Sequence, residues 1–122
     1  MHDSATVTEE FRLEVAIRGG AASIRLSGEL DMLRARRLDE AFIAICSERV
    51  SNTDIDASGV SFIDCTGLRS VLVISEEMER RRGAMRIIDP SAPVQRLLQL
   101  AGCEDLVEEP GAVPSAGQEA LA

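Results

Sequence analysis

The first regular feature of the chain is an alternation of bulky apolar residues with other residues. Residues 11–18 place such a side chain at every second position, and residues 23–26 repeat the pattern with Ile24 and Leu26. A period of two is typical of a half-buried strand. Gly19-Gly20, between the two runs, is typical of a tight turn. The pattern therefore predicts an antiparallel hairpin at the start of the domain.

Three later segments have the spacing of amphipathic helices. Asp31 can cap a first helix that runs to about Arg49. A second helix is predicted from Thr66 to residues 80–82, an arginine triplet that suits a solvated helix end before Gly83. Ser91 can cap a third helix that stops at Gly102. The positions expected to face inward in this third helix are Val94, Leu97, Leu98 and Ala101.

Two short segments complete the pattern. Residues 53–57 suit a strand, although their polar residues are unusual for the centre of a sheet, and residues 85–88 suit a strand that stops before Pro90. The order strand, strand, helix, strand, helix, strand, helix predicts one α/β domain with a four-stranded mixed sheet and right-handed crossovers. We place this domain at residues 11–108, after a flexible N-terminus at 1–10. The acidic, Pro-containing run 104–122 is expected to be poorly ordered, with 109–122 as a tail outside the domain.

Charge and composition favour a protein as the binding partner. The chain of 122 residues has a formal net charge of −8, and its arginines are nearly balanced by acids between residues 11 and 103. The sequence therefore predicts no positively charged surface that could bind nucleic acid or an anionic membrane. Aromatic residues make up only 2% of the chain, too few to stack on bases.

The cysteine and histidine content excludes several classes of site. Three cysteines without a CxxC pair, together with one histidine, indicate neither a disulfide framework nor a metal site, and they suit a reducing cytoplasm. The apolar runs are shorter than the roughly 18 residues that insertion into a membrane requires. No Ser–His pair or Gly-rich phosphate loop supports an enzyme, a cofactor or a small-molecule substrate.

The most informative stretch is residues 62–68, Phe-Ile-Asp-Cys-Thr-Gly-Leu, where an apolar pair gives way to small polar residues and then at once to a helix. The free backbone N–H groups of such a helix start favour an anion, including a phosphoryl group on a neighbouring side chain. On the local pattern alone, an ordinary Asp or Thr cap followed by Gly is the favoured explanation.

Combined with Gly-Glu-Leu-Asp at 28–31, Pro-Ser-Ala-Pro-Val at 90–94 and Leu-Ala-Gly at 100–102, this stretch resembles the STAS family, which includes the bacterial anti-sigma-factor antagonists. The resemblance implies a four-stranded mixed sheet with three to four helices. It also implies an anti-sigma factor of the serine-kinase type as partner, which the unphosphorylated antagonist binds to free a sigma factor. The partner-binding residues it implies are Asp31, Asp64, Cys65, Thr66, Gly67 and Leu68.

The resemblance also implies that phosphorylation of the residue after Asp64 ends binding, and here that residue is Cys65 instead of serine. Thr66 is a possible substitute acceptor, although we expect a bond to the helix N–H groups to hold its hydroxyl inward. Because a helix N-terminus favours a thiolate, Cys65 also allows a redox interpretation with Cys103 as its partner, and Cys46 is expected in the core. A further alternative is an STAS subunit of a lipid-transport ATPase or a signalling complex.

Overall fold

The computed structural model describes residues 10–108, which form a two-layer α/β domain. The strands are β1 (Arg12–Arg18), β2 (Ala21–Leu30), β3 (Asn52–Ile63) and β4 (Ala84–Ile88). The helices are α1 (Met32–Cys46), α2 (Cys65–Arg80) and α3 (Ala92–Ala101), followed by a 3-10 turn at Glu104–Leu106. The sheet order is β1-β2-β3-β4, with β1 antiparallel to β2 and the other neighbours parallel. The predicted mixed sheet is confirmed.

The hairpin forms where the alternating pattern placed it. Gly19 and Gly20 both have positive φ angles, 57° and 87°, as the favoured two-residue hairpin turn requires. The closing pair is Arg18 opposite Ala21. This register puts the apolar side chains of β1 on the same sheet face as Ala22, Ile24 and Leu26 of β2, which are buried.

Strand β3 is longer than the predicted 53–57, and its polar residues have two separate explanations. Thr53 lies on the buried face, where its hydroxyl donates a hydrogen bond to Met78 Sδ at 3.2 Å. Asp54 and Asp56 point to the opposite face, on which residues 10–108 place no helix. There Arg25 lies between Glu14 and Asp56, 3.8 Å and 3.7 Å away. The polar residues therefore reflect a sheet that the helices of the described chain cover on one side only.

Helix α1 ends at Cys46, three residues before the predicted end. The N–H and the hydroxyl of Ser47 both bond to Ala44 O, which ends the helical ladder. Carbonyls just beyond this end accept hydrogen bonds from Arg81, whose guanidinium reaches Cys46 O at 2.9 Å and Val50 O at 2.9 Å. Arg81 is thus half-buried and joins the ends of α1 and α2, so the prediction of a wholly solvated arginine triplet is wrong.

Three details of the C-terminal part differ from the sequence prediction. Ser91 precedes α3 but makes no side-chain capping bond, and its N–H instead donates to Ala57 O. Ala101 is exposed, not inward. Residues 104–108 are ordered because Val107 pairs with Ile87 as a parallel bridge and Glu108 N–H donates to Ile87 O at 3.0 Å. The predicted flexible terminus, apart from Glu10, and the tail 109–122 lie outside the described residues.

One close approach fixes the position of α2 relative to β2. A Cβ added to Gly67, in the first turn of α2, would lie 2.5 Å from Leu30 O and 2.9 Å from Leu30 Cγ. Real Cβ atoms do not approach a carbonyl oxygen so closely. Only glycine therefore lets the start of α2 lie against the end of β2.

We predict that Gly67→Ala destabilises the domain. In an unconstrained helix this change stabilises by about 0.5–1 kcal/mol, whereas here the methyl group must displace backbone, and such overpacking costs about 1–3 kcal/mol. Urea denaturation of wild type, Gly67→Ala and the exposed control Arg69→Ala measures the difference. A gain in the free energy of unfolding for Gly67→Ala contradicts the packing described here.

Candidate functional site

The loops after β2 and β3 meet at one edge of the sheet, which we term the carboxyl edge. Leu30 pairs with Ile63 in the parallel register, so Asp31 and Asp64, the next residues of each strand, are neighbours. Asp64 N–H also donates to Leu30 O at 3.4 Å. Each aspartate is the N-cap of the helix that follows it. The edge thus presents two helix N-termini side by side.

Asp31 is neutralised within its own helix. One carboxylate oxygen accepts a hydrogen bond from the Arg34 N–H at 3.0 Å, and the other accepts from Arg34 Nη1 at 2.6 Å. The backbone bond, with help from the guanidinium, holds the pKa of Asp31 below its ordinary value despite opposing desolvation. Arg34 also lies 3.9 Å from Glu29. Asp31 therefore fixes the start of α1 and offers no uncompensated charge.

Asp64 has a different environment. Its Oδ1 accepts a hydrogen bond from Gly67 N–H at 2.9 Å, which caps α2. Within residues 10–108 no arginine forms an ion pair with this carboxylate. Asp64 is half-buried, so its outer oxygen is the negative charge that the carboxyl edge leaves without a cation. A cationic group on a partner would fit this position.

The predicted site residues divide into a surface group and an interior group. Cys65 and Thr66 are exposed at the start of α2, whereas Gly67 and Leu68 are buried. Leu68 packs in the hydrophobic core, so Gly67 and Leu68 position the turn and do not form its outer surface. The inward hydroxyl expected for Thr66 is not observed, because Asp64 supplies the capping oxygen. Both candidate acceptor positions are accessible.

The structure shows no disulfide between the two proposed redox cysteines. All three cysteines are free, and Cys65 is the most exposed. Cys103 is half-buried and lies directly after the Gly102 that ends α3. Cys46 is half-buried at the end of α1, where desolvation raises the pKa of its thiol. Among residues 10–108, no group of acidic, His or Cys side chains could hold a metal ion.

Sequence reasoning missed two features of this edge. It did not predict the pairing of Asp31 with Arg34, although an Asp–Arg spacing of three residues at a helix start is a recognisable signal for such a pair. It also passed over Met32 and Leu33, which precede the apolar stripe of α1 and are 64% and 72% exposed. Two adjacent bulky apolar residues outside the core-facing positions of α1 could have indicated an exposed contact surface.

Two known proteins are similar in sequence to part of this chain. Anti-sigma-F factor antagonist RsfB of Mycobacterium tuberculosis is 33% identical over 76 residues, which are 62% of this chain and only 57% of RsfB. The anti-sigma-B factor antagonist of Staphylococcus epidermidis is 24% identical over 69% of this chain and 78% of its own. No helix in the described part of this chain has the length and apolar character to span a membrane.

Solved structures give a similar result over nearly the whole chain. The anti-sigma factor antagonist SpoIIAA in its unphosphorylated form superposes with a TM-score of 0.73 at 25% identity, covering 92% of this chain and 96% of SpoIIAA. The phosphorylated form of SpoIIAA from Bacillus superposes with a TM-score of 0.68. The STAS domain profile matches residues 12–116, and this chain therefore belongs to the STAS domain family.

Proposed function

We propose that the protein is an anti-sigma factor antagonist that binds an anti-sigma factor of the serine-kinase type through the carboxyl edge and thereby releases a sigma factor. The observation that carries the proposal is the pairing of two capped helix starts at one edge, with Asp64 uncompensated and Cys65 and Thr66 exposed. The relatives named as antagonists of anti-sigma factors support it. The protein acts in the cytoplasm and by binding, not by catalysis.

The charge at Asp64 explains how such a contact would be specific. A carboxylate without a cation among residues 10–108 gains the most electrostatic free energy when a partner cation replaces water beside it. Asp31 is already neutralised by Arg34, so a partner cation would contribute far less free energy there. Asp31 acts instead by holding the start of α1 in place. The proposed contact residues are therefore Asp64, Cys65 and Thr66, with Asp31, Gly67 and Leu68 as positioning residues.

Control by phosphorylation is weakened by Cys65. A phosphate adds about −1.5 to −2 units of charge, which suits a helix N-terminus but opposes a contact that already carries Asp64. A serine kinase transfers phosphate to a hydroxyl, and the position after Asp64 holds a thiol. Thr66 has an exposed hydroxyl, but it lies one residue beyond position 65, where the resemblance places the serine that the kinase phosphorylates.

Two other functions make different demands on the same site. An STAS subunit of a lipid-transport ATPase or signalling complex would dock through the same turn, and affinity capture followed by identification of the bound protein separates it from our proposal. A thiol redox protein is favoured by the exposure of Cys65, whereas Cys103 is half-buried and forms no disulfide with it. Turnover of a peroxide or disulfide substrate would support that third function.

We predict that Asp64→Lys weakens binding to the anti-sigma factor far more than it weakens folding. Loss of an N-cap costs about 0.5–2 kcal/mol of stability, whereas a like-charge clash at the interface raises Kd by at least about 30-fold, or ~2 kcal/mol. Isothermal titration calorimetry and thermal denaturation measure the two quantities. Glu104→Lys, the same charge change at an exposed residue of the 3-10 turn, is the matched control. Equal losses of affinity in both variants would contradict a local role for Asp64.

We also predict that the cognate kinase phosphorylates the wild-type protein slowly or not at all, and that Cys65→Ser makes it a good substrate. Phosphoryl transfer needs the attacking oxygen within about 3–3.5 Å of phosphorus, and a misplacement of ~1 Å can cost ~10²-fold in rate. Intact mass spectrometry of wild type, Cys65→Ser and Thr66→Val with the same kinase follows the reaction. Rapid phosphorylation of wild type that Thr66→Val abolishes would show that Thr66 is the acceptor and that Cys65 has not silenced the switch.

A further inference from the structure

The first turn of α1 carries an apolar surface that the fold does not use. Met32 and Leu33, which we term the α1 tip, are 64% and 72% exposed. The core-facing side of α1 is formed by Ala35, Leu38 and Ile45, which are fully buried, and the tip lies outside this stripe. Two consecutive large apolar side chains in water therefore contribute little to folding. Adjacent exposed apolar residues of this kind are typical of a contact with another protein.

The tip adjoins the proposed contact surface. Met32 is the first residue of α1 and Cys65 the first of α2, and the strands that lead to them are hydrogen-bonded neighbours, about 4.8 Å apart. Asp31 precedes the tip directly, and Asp64 N–H donates to the carbonyl of the residue before Asp31. The apolar tip and the uncompensated Asp64 thus belong to one continuous edge.

The backbone of the tip is held in place. Asp31 bonds both to the Arg34 N–H and to the Arg34 guanidinium, so the first turn of α1 is closed by its own residues. A preorganised backbone loses little conformational freedom on binding, which favours the use of this turn as an anchor. Met32 adds a flexible, polarisable side chain that adapts to an irregular cavity.

We propose that the α1 tip inserts into an apolar depression on the anti-sigma factor, beside the cationic group that meets Asp64. This inference rests on the proposed function and adds to it the chemistry of the partner surface, namely a basic residue bordered by apolar side chains. Asp64 supplies a charge that the partner matches, while the tip supplies most of the apolar area buried in the contact. Specificity for one anti-sigma factor then depends on the fit of Met32 and Leu33.

The test compares the full-length wild type with Met32→Gln/Leu33→Gln and with Leu100→Gln, by calorimetric titration with the anti-sigma factor. Glutamine keeps the length and helix propensity of both residues. Leu100 is an 80% exposed apolar residue near the end of α3, outside the α1 tip, and is the matched control. We expect the double variant to raise Kd by about 10- to 100-fold and the control to leave Kd unchanged.

Each outcome bears on a different claim. Failure of the wild type to bind the anti-sigma factor overturns the proposed function itself. Wild-type affinity in the double variant, with loss of binding in Asp64→Lys, overturns the role of the tip and leaves the proposed function standing. An equal loss of affinity in Leu100→Gln also overturns the role of the tip, because the effect is then not specific to Met32 and Leu33. If the double variant melts at a lower temperature than wild type, the titration is repeated with the single variants Met32→Gln and Leu33→Gln. A raised Kd in a single variant with wild-type melting temperature supports the role of the tip, and an unchanged Kd in both overturns it.

Discussion

The carboxyl edge depends on how closely the first turn of α2 approaches the last residue of β2. Gly67 has no side chain to hold the helix away from Leu30, and Asp64 N–H bonds to the same Leu30 carbonyl. This contact sets two helix starts side by side. If α2 were moved outward, Asp64 and Cys65 would no longer share a surface with α1. A backbone approach in the core thereby determines which side chains a partner can meet at the surface.

The two capping aspartates of this edge have different electrostatic roles although they occupy equivalent positions. Asp31 is paired with Arg34, and Asp64 with no cation in the described chain. Removing the charge of Asp31 would therefore affect mainly α1, whereas changing the charge of Asp64 would affect what approaches from outside. A phosphate beside Asp64 would add to a negative charge that is already unmatched. This asymmetry makes the residue after Asp64 a suitable control point, and a thiol there changes how it can be controlled.

Much of the fold follows from hydrophobic periodicity. The hairpin and the three helices were predictable, because alternation and helical spacing are local signals. The grouping of Asp31 with Asp64 was implied only by the resemblance to the STAS family. Other features depend on distant contacts. The length of β3 was underestimated because residues 58–63 extend the strand only by pairing with β2, from Gly59 opposite Ser27 to Ile63 opposite Leu30, and the end of α1 depends on Arg81, more than thirty residues away. Order at residues 104–108 comes from pairing with Ile87, which an acidic composition does not reveal.

A partner that binds at the carboxyl edge contacts different residues from one that binds at the face of the sheet on which Glu14 and Arg25 lie. Titration of the isotope-labelled protein with the anti-sigma factor, followed by amide NMR shifts, distinguishes the two. We expect shifts and broadening to concentrate at residues 31–34 and 62–69, while Glu14, Arg25 and Leu100 change little. Changes centred on Glu14 and Arg25, with residues 31–34 and 62–69 unaffected, would show that the carboxyl edge is not the binding surface.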